Sequence, residues 1–456
     1  MQSPSVAVTP PAVGKRNLWN VIIAASLGTL IEWYDFFIFG ALAALIIGPQ
    51  YFPANNDPLI QTMSALATFA AGFVVRPFGA LVFGRLGDVV GRKHTFLVTL
   101  LLMGGSTFAI AFVPTFAQIG YAAPTILLIL RLIQGLALGG EYGGATTYVA
   151  EHAPDDRRGF YVSFVQITAT GGLVLSIVVI LACRTGLSAD DFSAWGWRIP
   201  FLASGLLVVG SYFIRRNMAE SPVFAQLKTE GRVSKNPLRE SFTKKENGRL
   251  VLLALFGLTA GQGCVYYTVH FYSSVFIGTL LHVDFVQTNQ IMLVAMVLAS
   301  PLSIGFGALS DKIGQRKPIM MLGLALFVVF TYPIYGQISA TVAGSFRVQP
   351  GPLLTDSARN WLIFYVFVQV VFSTMIYGPI AAFLVELFPT HIRYTSLSLP
   401  YHIGNGIFGG LTPFIATALI SATGNNLTGL AYPVGVAAVT VLVGVFLLKE
   451  YRGKLR

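Results

Sequence analysis

Charge is what this sequence has least of. Only 11% of its 456 residues are Asp, Glu, Lys or Arg, where a soluble domain carries about 25%, so a water-soluble globular fold is excluded. Cysteine is nearly absent too, with two in the chain. Both Cys183 and Cys264 fall in apolar runs, so no disulfide framework is indicated and packed free thiols are expected. No His-Glu-x-x-His or Gly-x-Ser-x-Gly stretch occurs, and Gly-Lys is found only at 14–15 and 453–454, outside any Walker A context. An intramembrane enzyme would need a nucleophile–base or metal cluster, and an ATP motor a phosphate loop; neither is visible. The chain is therefore expected not to be an enzyme and to use no cofactor.

Apolar residues are what the chain has instead: 54% of the total, with a mean hydropathy of +0.69. Runs near the ~20 residues a bilayer requires lie at about 18–47, 60–84, 95–114, 123–149, 159–183, 198–214, 250–278, 288–310, 318–337, 360–385, 393–420 and 428–448. About twelve transmembrane helices follow, in an all-α membrane protein. The net charge of +11 does not point to nucleic acid, because 24 of the 30 Lys and Arg residues fall in alternate loops and tails. This asymmetry puts both termini in the cytoplasm of a multi-pass protein. The first 17 residues are polar and proline-containing, so no cleavable signal peptide is expected.

The sequence also repeats itself. Gly84-Arg-Leu-Gly-Asp88-Val-Val-Gly91-Arg92-Lys93 recurs as Gly307-Ala-Leu-Ser-Asp311-Lys-Ile-Gly314-Gln-Arg316-Lys317. Glu151-x-x-Pro154-x-x-x-Arg158 recurs as Glu386-x-x-Pro389-x-x-x-Arg393. Both offsets are close to half the chain, which implies two parallel, pseudo-symmetric six-helix bundles. The expected organisation is a tail at 1–17, a bundle at 18–214, a basic linker at 215–249, a bundle at 250–448 and a tail at 449–456.

The repeated glycine–aspartate–basic loops, with Arg131-x-x-Gln134-Gly135-x-x-x-Gly139, resemble signatures of the major facilitator superfamily. Ile31-Glu-Trp-Tyr-Asp-Phe-Phe37, Arg76-Pro-Phe-Gly79, Gly139-Gly-Glu-Tyr-Gly143, Trp195-Gly-Trp-Arg-Ile-Pro-Phe201, Glu220-Ser-Pro-Val-Phe224 and Glu386-Leu-Phe-Pro-Thr-His-Ile-Arg-Tyr394 are similar to its metabolite:proton symporters. The resemblance runs over nearly the whole chain. It implies a monomer in a bacterial inner membrane that takes up citrate, 2-oxoglutarate, shikimate, proline or betaine with protons.

The residues themselves suggest where such chemistry would sit. Arg131, Gln134, Leu138, Glu141, Tyr142 and Ala145 fall on one stripe of a membrane-length helix. A charge in hydrocarbon costs roughly 2.5–3.5 kcal/mol, so the stripe reads as the wall of a solute path. Glu32 and Asp35 share a face of the first helix; Asp35 lies ~25 Å from the cytoplasmic entry and Arg131 ~12 Å below the outer surface. These depths predict an Asp35–Arg131 pair, and a carboxylate that alternately gains and loses such a partner can take and give a proton. Arg131 would then alternate between Asp35 and an anionic solute. A static ion pair that orders the helices is the plainer alternative.

Arg76 and Glu141, ~24 and ~27 Å along their helices, predict a second, gating or structural pair, with Pro77 bending the second helix. Gln134, Tyr34, Gln166, Gln262, Tyr266, Tyr377, Tyr401 and Asn405 are candidate solute contacts; single Ser and Thr residues on the same stripes serve equally as glue between helices. His270 and His402 read either way. Gly84, Asp88, Gly91, Arg92, Asp311, Arg316, Glu151, Arg158, Glu386 and Arg393 are gating or structural candidates. Asp88 and Asp311 can face a neighbouring helix N-terminus and the loop arginines, and the resemblance implies a latch there. Gly404-Asn-Gly406-Ile-Phe-Gly409 spells a dinucleotide fingerprint, but within an apolar helix it is a packing surface.

The expectation is a secondary active transporter that symports a small polar metabolite with a proton. An organic acid is preferred because Arg131 is cationic. The alternatives are an osmolyte symporter for zwitterions such as proline or betaine, and a solute sensor that does not transport. The partners are the bilayer, the solute and protons.

Overall fold

A computed structural model describes residues 15–53, 57–90, 92–140, 142–216, 245–345, 353–388 and 393–450. Twelve apolar helices follow one another, and we number them in chain order. The first is a bent pair, α1 (Ala25–Ala41 and Ala43–Tyr51), followed by α2 (Pro58–Phe83), α3 (Leu97–Ile110), α4 (Ala122–Thr147) and α5 (Asp155–Gly186). A second bent pair forms α6 (Ala189–Gly196 and Arg198–Phe213). The second half holds α7 (Glu246–Leu280), α8 (Phe285–Ile313), α9 (Lys317–Ala343), α10 (Asp356–Leu387), α11 (Ser396–Thr423) and α12 (Thr428–Phe446). Among the described residues nine of these are long and apolar enough to cross a membrane as single helices, and each bent pair adds one crossing. The middle of the expected 215–249 linker lies outside the described residues. Cys183 and Cys264 are unpaired thiols.

The packing repeats with a period of six helices. In the first half α1 lies along α5, α2 on α4 and α3 on α6; in the second, α7 lies along α11, α8 on α10 and α9 on α12. The halves meet where α5 crosses α8 and α10, and where α2 and α4 cross α11. Whatever sits between α1, α2, α4 and α5 on one side and α7, α8, α10 and α11 on the other is therefore enclosed by both bundles.

Glycine sets the α2–α4 distance. A Cβ on Gly135 would stand 2.6 Å from the Gly72 carbonyl carbon and 2.7 Å from Val75 Cγ2, and one on Gly139 would stand 2.9 Å from the Arg76 carbonyl carbon. The glycines thus let α4 press against the α2 backbone, where association relies on close contact. Gly135→Val is expected to destabilise the protein by about 1–3 kcal/mol, the range for overpacking, read as a lower melting temperature of the detergent-purified protein. The Gly404–Gly409 segment does the same job: a Cβ on Gly406 would lie 2.6 Å from the Phe73 carbonyl oxygen of α2, and one on Gly404 2.5 Å from the Thr259 carbonyl carbon of α7.

The helix α2 is interrupted at Val75, two residues before Pro77. A proline lacks the N–H for the preceding turn and crowds it, so Arg76 starts a new segment. Helix α7 is irregular for another reason. Three π-helical turns, Leu255–Thr259, Thr268–Tyr272 and Phe276–Leu280, widen the winding and rotate the side chains that follow.

Candidate functional site

Arg76 occupies the centre. Its side chain is buried, with the guanidinium carbon 4.2 Å from the Phe73 ring, 4.4 Å from Phe36 and 5.0 Å from Trp33. These ring faces attract the cation. From the second half, Tyr266, Tyr267, Tyr377, Tyr401 and His402 are polar side chains that share its field. Among the described residues Nε and one terminal nitrogen of Arg76 have no hydrogen-bond partner. The expected partner Glu141 lies outside the described residues. Arg76 itself points to the middle of the molecule, where a solute contact is as open to it as gating.

A tyrosine cluster faces that cation and knits the halves together. Tyr142 of α4 stacks on Tyr401 of α11 with ring centroids 3.5 Å apart and planes 5° from parallel. The Tyr142 hydroxyl donates to Gln166 Oε1 at 2.8 Å, and Gln166 Nε2 donates to the Tyr377 carbonyl at 3.3 Å. The Tyr377 and Tyr401 hydroxyls are 3.0 Å apart. Tyr266 leans on Tyr377 at 5.1 Å, and Asn405 Nδ2 donates to Gln262 Oε1 at 2.8 Å. Six residues picked from polar stripes, Gln166, Gln262, Tyr266, Tyr377, Tyr401 and Asn405, are thus brought together. Among the described residues Gln262 Nε2, the Tyr266 hydroxyl and both nitrogens of His402 are buried without a hydrogen-bond partner. Such an orphaned group costs about 1–3 kcal/mol, and a cluster of them at one place fits a polar ligand.

Three expected solute contacts lie elsewhere. Arg131 donates to the Phe36 carbonyl at 3.1 Å, the Phe69 carbonyl at 3.3 Å and Gln134 Oε1 at 2.5 Å, and sits 3.9 Å over the Phe36 ring. It does not pair with Asp35. The carboxylate, one residue and so about 100° further round the helix, is buried towards α6 with Ser204 as its polar neighbour. Gln134 donates to Thr107 of α3 at 2.8 Å, and the Tyr34 hydroxyl donates to the Pro200 carbonyl of α6 at 2.9 Å. Arg131, Gln134 and Tyr34 therefore hold helices within the first half. Glu32 is buried on α1 as well.

Tyr142, Tyr267 and Trp33 were not among the solute-contact candidates, and His402 was left open. Tyr142 lay on the stripe of Arg131 and could have been taken from it. Tyr267 lies beside Tyr266 rather than three or four residues from it, and the π turns of α7 break the spacing that would have found it.

At the face that carries the basic loops, a second cluster bolts the halves together. Asp311 of α8 accepts the N–H groups of Gly159 at 2.9 Å and Phe160 at 2.7 Å in the first turn of the regular α5 helix. Its carboxylate is also bound by Arg316 at 3.0 Å. Arg316 donates twice to Glu386, at 2.7 and 2.8 Å, and Arg158 reaches Glu386 at 2.9 Å while also pairing with Asp155. Burial pulls the proton affinity of Arg316 down, but the Glu386 and Asp311 carboxylates more than offset it and raise the guanidinium above its ordinary value. It stays charged. Gly159 is required here: a Cβ would stand 2.6 Å from the Gly307 carbonyl oxygen and 2.8 Å from Asp311 Oδ1. Arg393 Nε donates to the Phe388 carbonyl at 3.1 Å. The surroundings of Gly84 and the side chains of Asp88, Arg92 and Glu151 lie outside what the structure describes, as does residue Gly91.

The chain was compared with known proteins. The family model described as sugar (and other) transporter matches twice, over residues 21–247 and 225–455. The inner membrane metabolite transport protein YhjE of Escherichia coli K12 is 34% identical over 452 residues, covering 96% of each chain. The proline/betaine transporter of the same strain is 33% identical over 444 residues, covering 94% of this chain and 83% of its own. The glycine betaine/proline/ectoine/pipecolic acid transporter OusA of Dickeya dadantii is 33% identical over 454 residues, covering 96% and 84%. Among solved structures, a double-tryptophan mutant of XylE superposes with a TM-score of 0.73 at 17% identity, covering 96% and 97%. That match shows the fold. The chain belongs to the sugar (and other) transporter family, has the major facilitator fold, and is a membrane transporter rather than an enzyme.

Proposed function

We propose that this transporter carries a small zwitterion, with a carboxylate and an ammonium or quaternary ammonium centre, together with a proton. The observation that carries the reading is Arg76, a buried guanidinium with free N–H directions facing tyrosines of the other half. A buried cation is costly to hold, and a solute carboxylate would help offset that cost by accepting hydrogen bonds from Nε and the terminal nitrogen of Arg76. The faces of Tyr142, Tyr266, Tyr377 and Tyr401 suit the cationic end, each worth about 0.5–2 kcal/mol. A simple organic acid, the sequence-based preference, would satisfy Arg76 and leave those faces without a cation. Relatives named proline/betaine transporters support the zwitterion. Accumulation of glycine betaine in proteoliposomes, lost when Arg76 is replaced, tests the reading; uptake of citrate in place of betaine would overturn it.

The proton is assigned to Asp35, with Glu32 one turn away. Asp35 is buried, has no cation partner among the described residues, and packs where α1 meets α6. A proton binding there would change the charge between two helices of one bundle and so bias its tilt. Asp35→Asn is expected to keep downhill exchange of labelled solute while accumulation under an imposed pH gradient falls at least ~10-fold, the size of one lost coupling of about 1.4 kcal/mol. Full accumulation in that variant would remove Asp35 from the coupling. With the basic face in the cytoplasm, the bolted Asp311–Arg316–Glu386–Arg158 cluster closes the inside, and bundles rocking about Arg76 would open it.

A further inference from the structure

The stretch Trp195–Phe201 stood out in the sequence and has no part so far in the transport cycle. In the structure it makes the bend of α6, where Ala189–Gly196 and Arg198–Phe213 meet at 49°. The bent α1 grips α6 on both sides of that bend. Before it, Gln50 Nε2 donates to the Ser193 carbonyl at 2.5 Å, and at the bend Tyr51 meets the Trp197 ring edge-on at 5.8 Å. After it, the Tyr34 hydroxyl donates to the Pro200 carbonyl at 2.9 Å.

Tyr34 and Asp35 are neighbours on α1, and both engage one turn of α6. In the helix that starts at Arg198, the Pro200 carbonyl also accepts the N–H of residue 204. Ser204 is the polar neighbour of Asp35. It is fully buried, and its hydroxyl reaches the Gly104 carbonyl of α3 only at 3.5 Å, too long for a strong bond. That donor is available to the carboxyl. Tyr34 is fixed from the other side as well: a Cβ on Gly172 of α5 would stand 2.7 Å from the Tyr34 amide nitrogen. The phenol is thus a strut from the α1–α5 contact to the turn of α6 that faces Asp35. The other titratable groups nearby are Glu32 of α1 and Cys183 of α5. Helix α3 has none. Arg198 of α6 is spent on the Ala111 carbonyl, and Arg131 of α4 on the carbonyls of Phe36 and Phe69.

We propose that Tyr34 is a positioning residue for proton coupling: it holds the Pro200–Ser204 turn of α6 against Asp35, so that a proton arriving there is felt by α6. The inference rests on the assignment of the coupling proton to Asp35. A phenylalanine at position 34 keeps the ring and loses the strut. The turn then draws back, Asp35 loses the Ser204 donor, and the proton binds with less effect on the tilt of α6.

Infrared difference spectroscopy of the purified full-length protein reads the protonated carboxyl of Asp35, its band being the one that Asp35→Asn removes. A hydrogen bond to a carboxyl C=O lowers its stretching frequency. Tyr34→Phe and Ser204→Ala are therefore each expected to move the band up, and the double variant no further than Ser204→Ala. In proteoliposomes, accumulation of glycine betaine relative to its downhill exchange is expected to fall at least ~5-fold in both, the low end of coupling between sites. Tyr51→Phe is the control. It loses an equally buried bond, 2.8 Å to the Val113 carbonyl, ~25 Å further along α1, and should keep the wild-type band and coupling. If Tyr34→Phe and Tyr51→Phe lose only thermal stability, with the band unmoved in both, Tyr34 is a structural tie and the proposal is overturned. A band that survives Asp35→Asn would instead remove Asp35 as the proton carrier, and the inference would fall with that reading. The spectrum needs no solute, so it decides whether or not betaine is carried.

Discussion

Arg76→Lys should lower kcat/KM for glycine betaine at least ~100-fold without unfolding the protein, because a lysine cannot reproduce a planar fork that meets a carboxylate with two parallel N–H groups. It also cannot lie flat against Trp33, Phe36 and Phe73, whose ring centres stand 4.2 to 5.0 Å from the guanidinium carbon. A hundred-fold is about 2.7 kcal/mol, within the range for removing one partner of a buried charge pair. Arg131→Lys is the control. Arg131 shares the Phe36 ring but bonds the carbonyls of Phe36 and Phe69, so its loss should appear mainly as lower thermal stability. If the two variants lose uptake equally, and neither loses affinity for betaine, Arg76 is a structural residue and the site lies elsewhere.

The second large effect is expected at the bolt. Glu386 is a carboxylate shared by Arg158 of the first half and Arg316 of the second, with contacts of 2.7 to 2.9 Å. Glu386→Gln leaves two buried guanidiniums without that charge, and breaking a buried pair from one side costs about 3–5 kcal/mol. Much of this falls on the closed state alone, since the contact joins the two halves, and even 2.7 kcal/mol shifts the balance between states ~100-fold. The measurement is thiol labelling. With Cys183 and Cys264 replaced by serine, a cysteine at Ser163, fully buried behind Gly307, should become reactive to an impermeant maleimide on the basic face only when Glu386 is Gln. Unchanged labelling would mean that the bolt does not hold the gate.

Much of the architecture was legible because it rests on length and repetition. Twelve runs of membrane length and two repeats half a chain apart suffice to place two six-helix bundles. The second copy of the loop motif led to Asp311 and Arg316, and the second glutamate–arginine pair led to Glu386. Which of them touch was not legible, since Arg158 finds the Glu386 of the other half across 228 residues of chain.

The interior of the first bundle was misread for a related reason. Matching depths made Asp35 and Arg131 look like a pair, but depth says nothing about azimuth. Arg131 met the carbonyl and ring of Phe36, and Asp35 turned to α6. Aromatic rings and backbone carbonyls can hold a buried guanidinium, so an arginine in hydrocarbon does not by itself announce a carboxylate. In α7 the π turns moved Tyr267 to a place that a 3.6-residue period does not reach.

The central claim is that a carboxylate on Arg76 and a cation among the tyrosines are recognised together. Sealed proteoliposomes with an imposed pH gradient, offered labelled glycine betaine, choline and citrate side by side, test it most directly. Betaine alone should accumulate above its outside concentration, and a protonophore should abolish the accumulation. Accumulation of citrate or choline with betaine left at equilibrium would contradict the account.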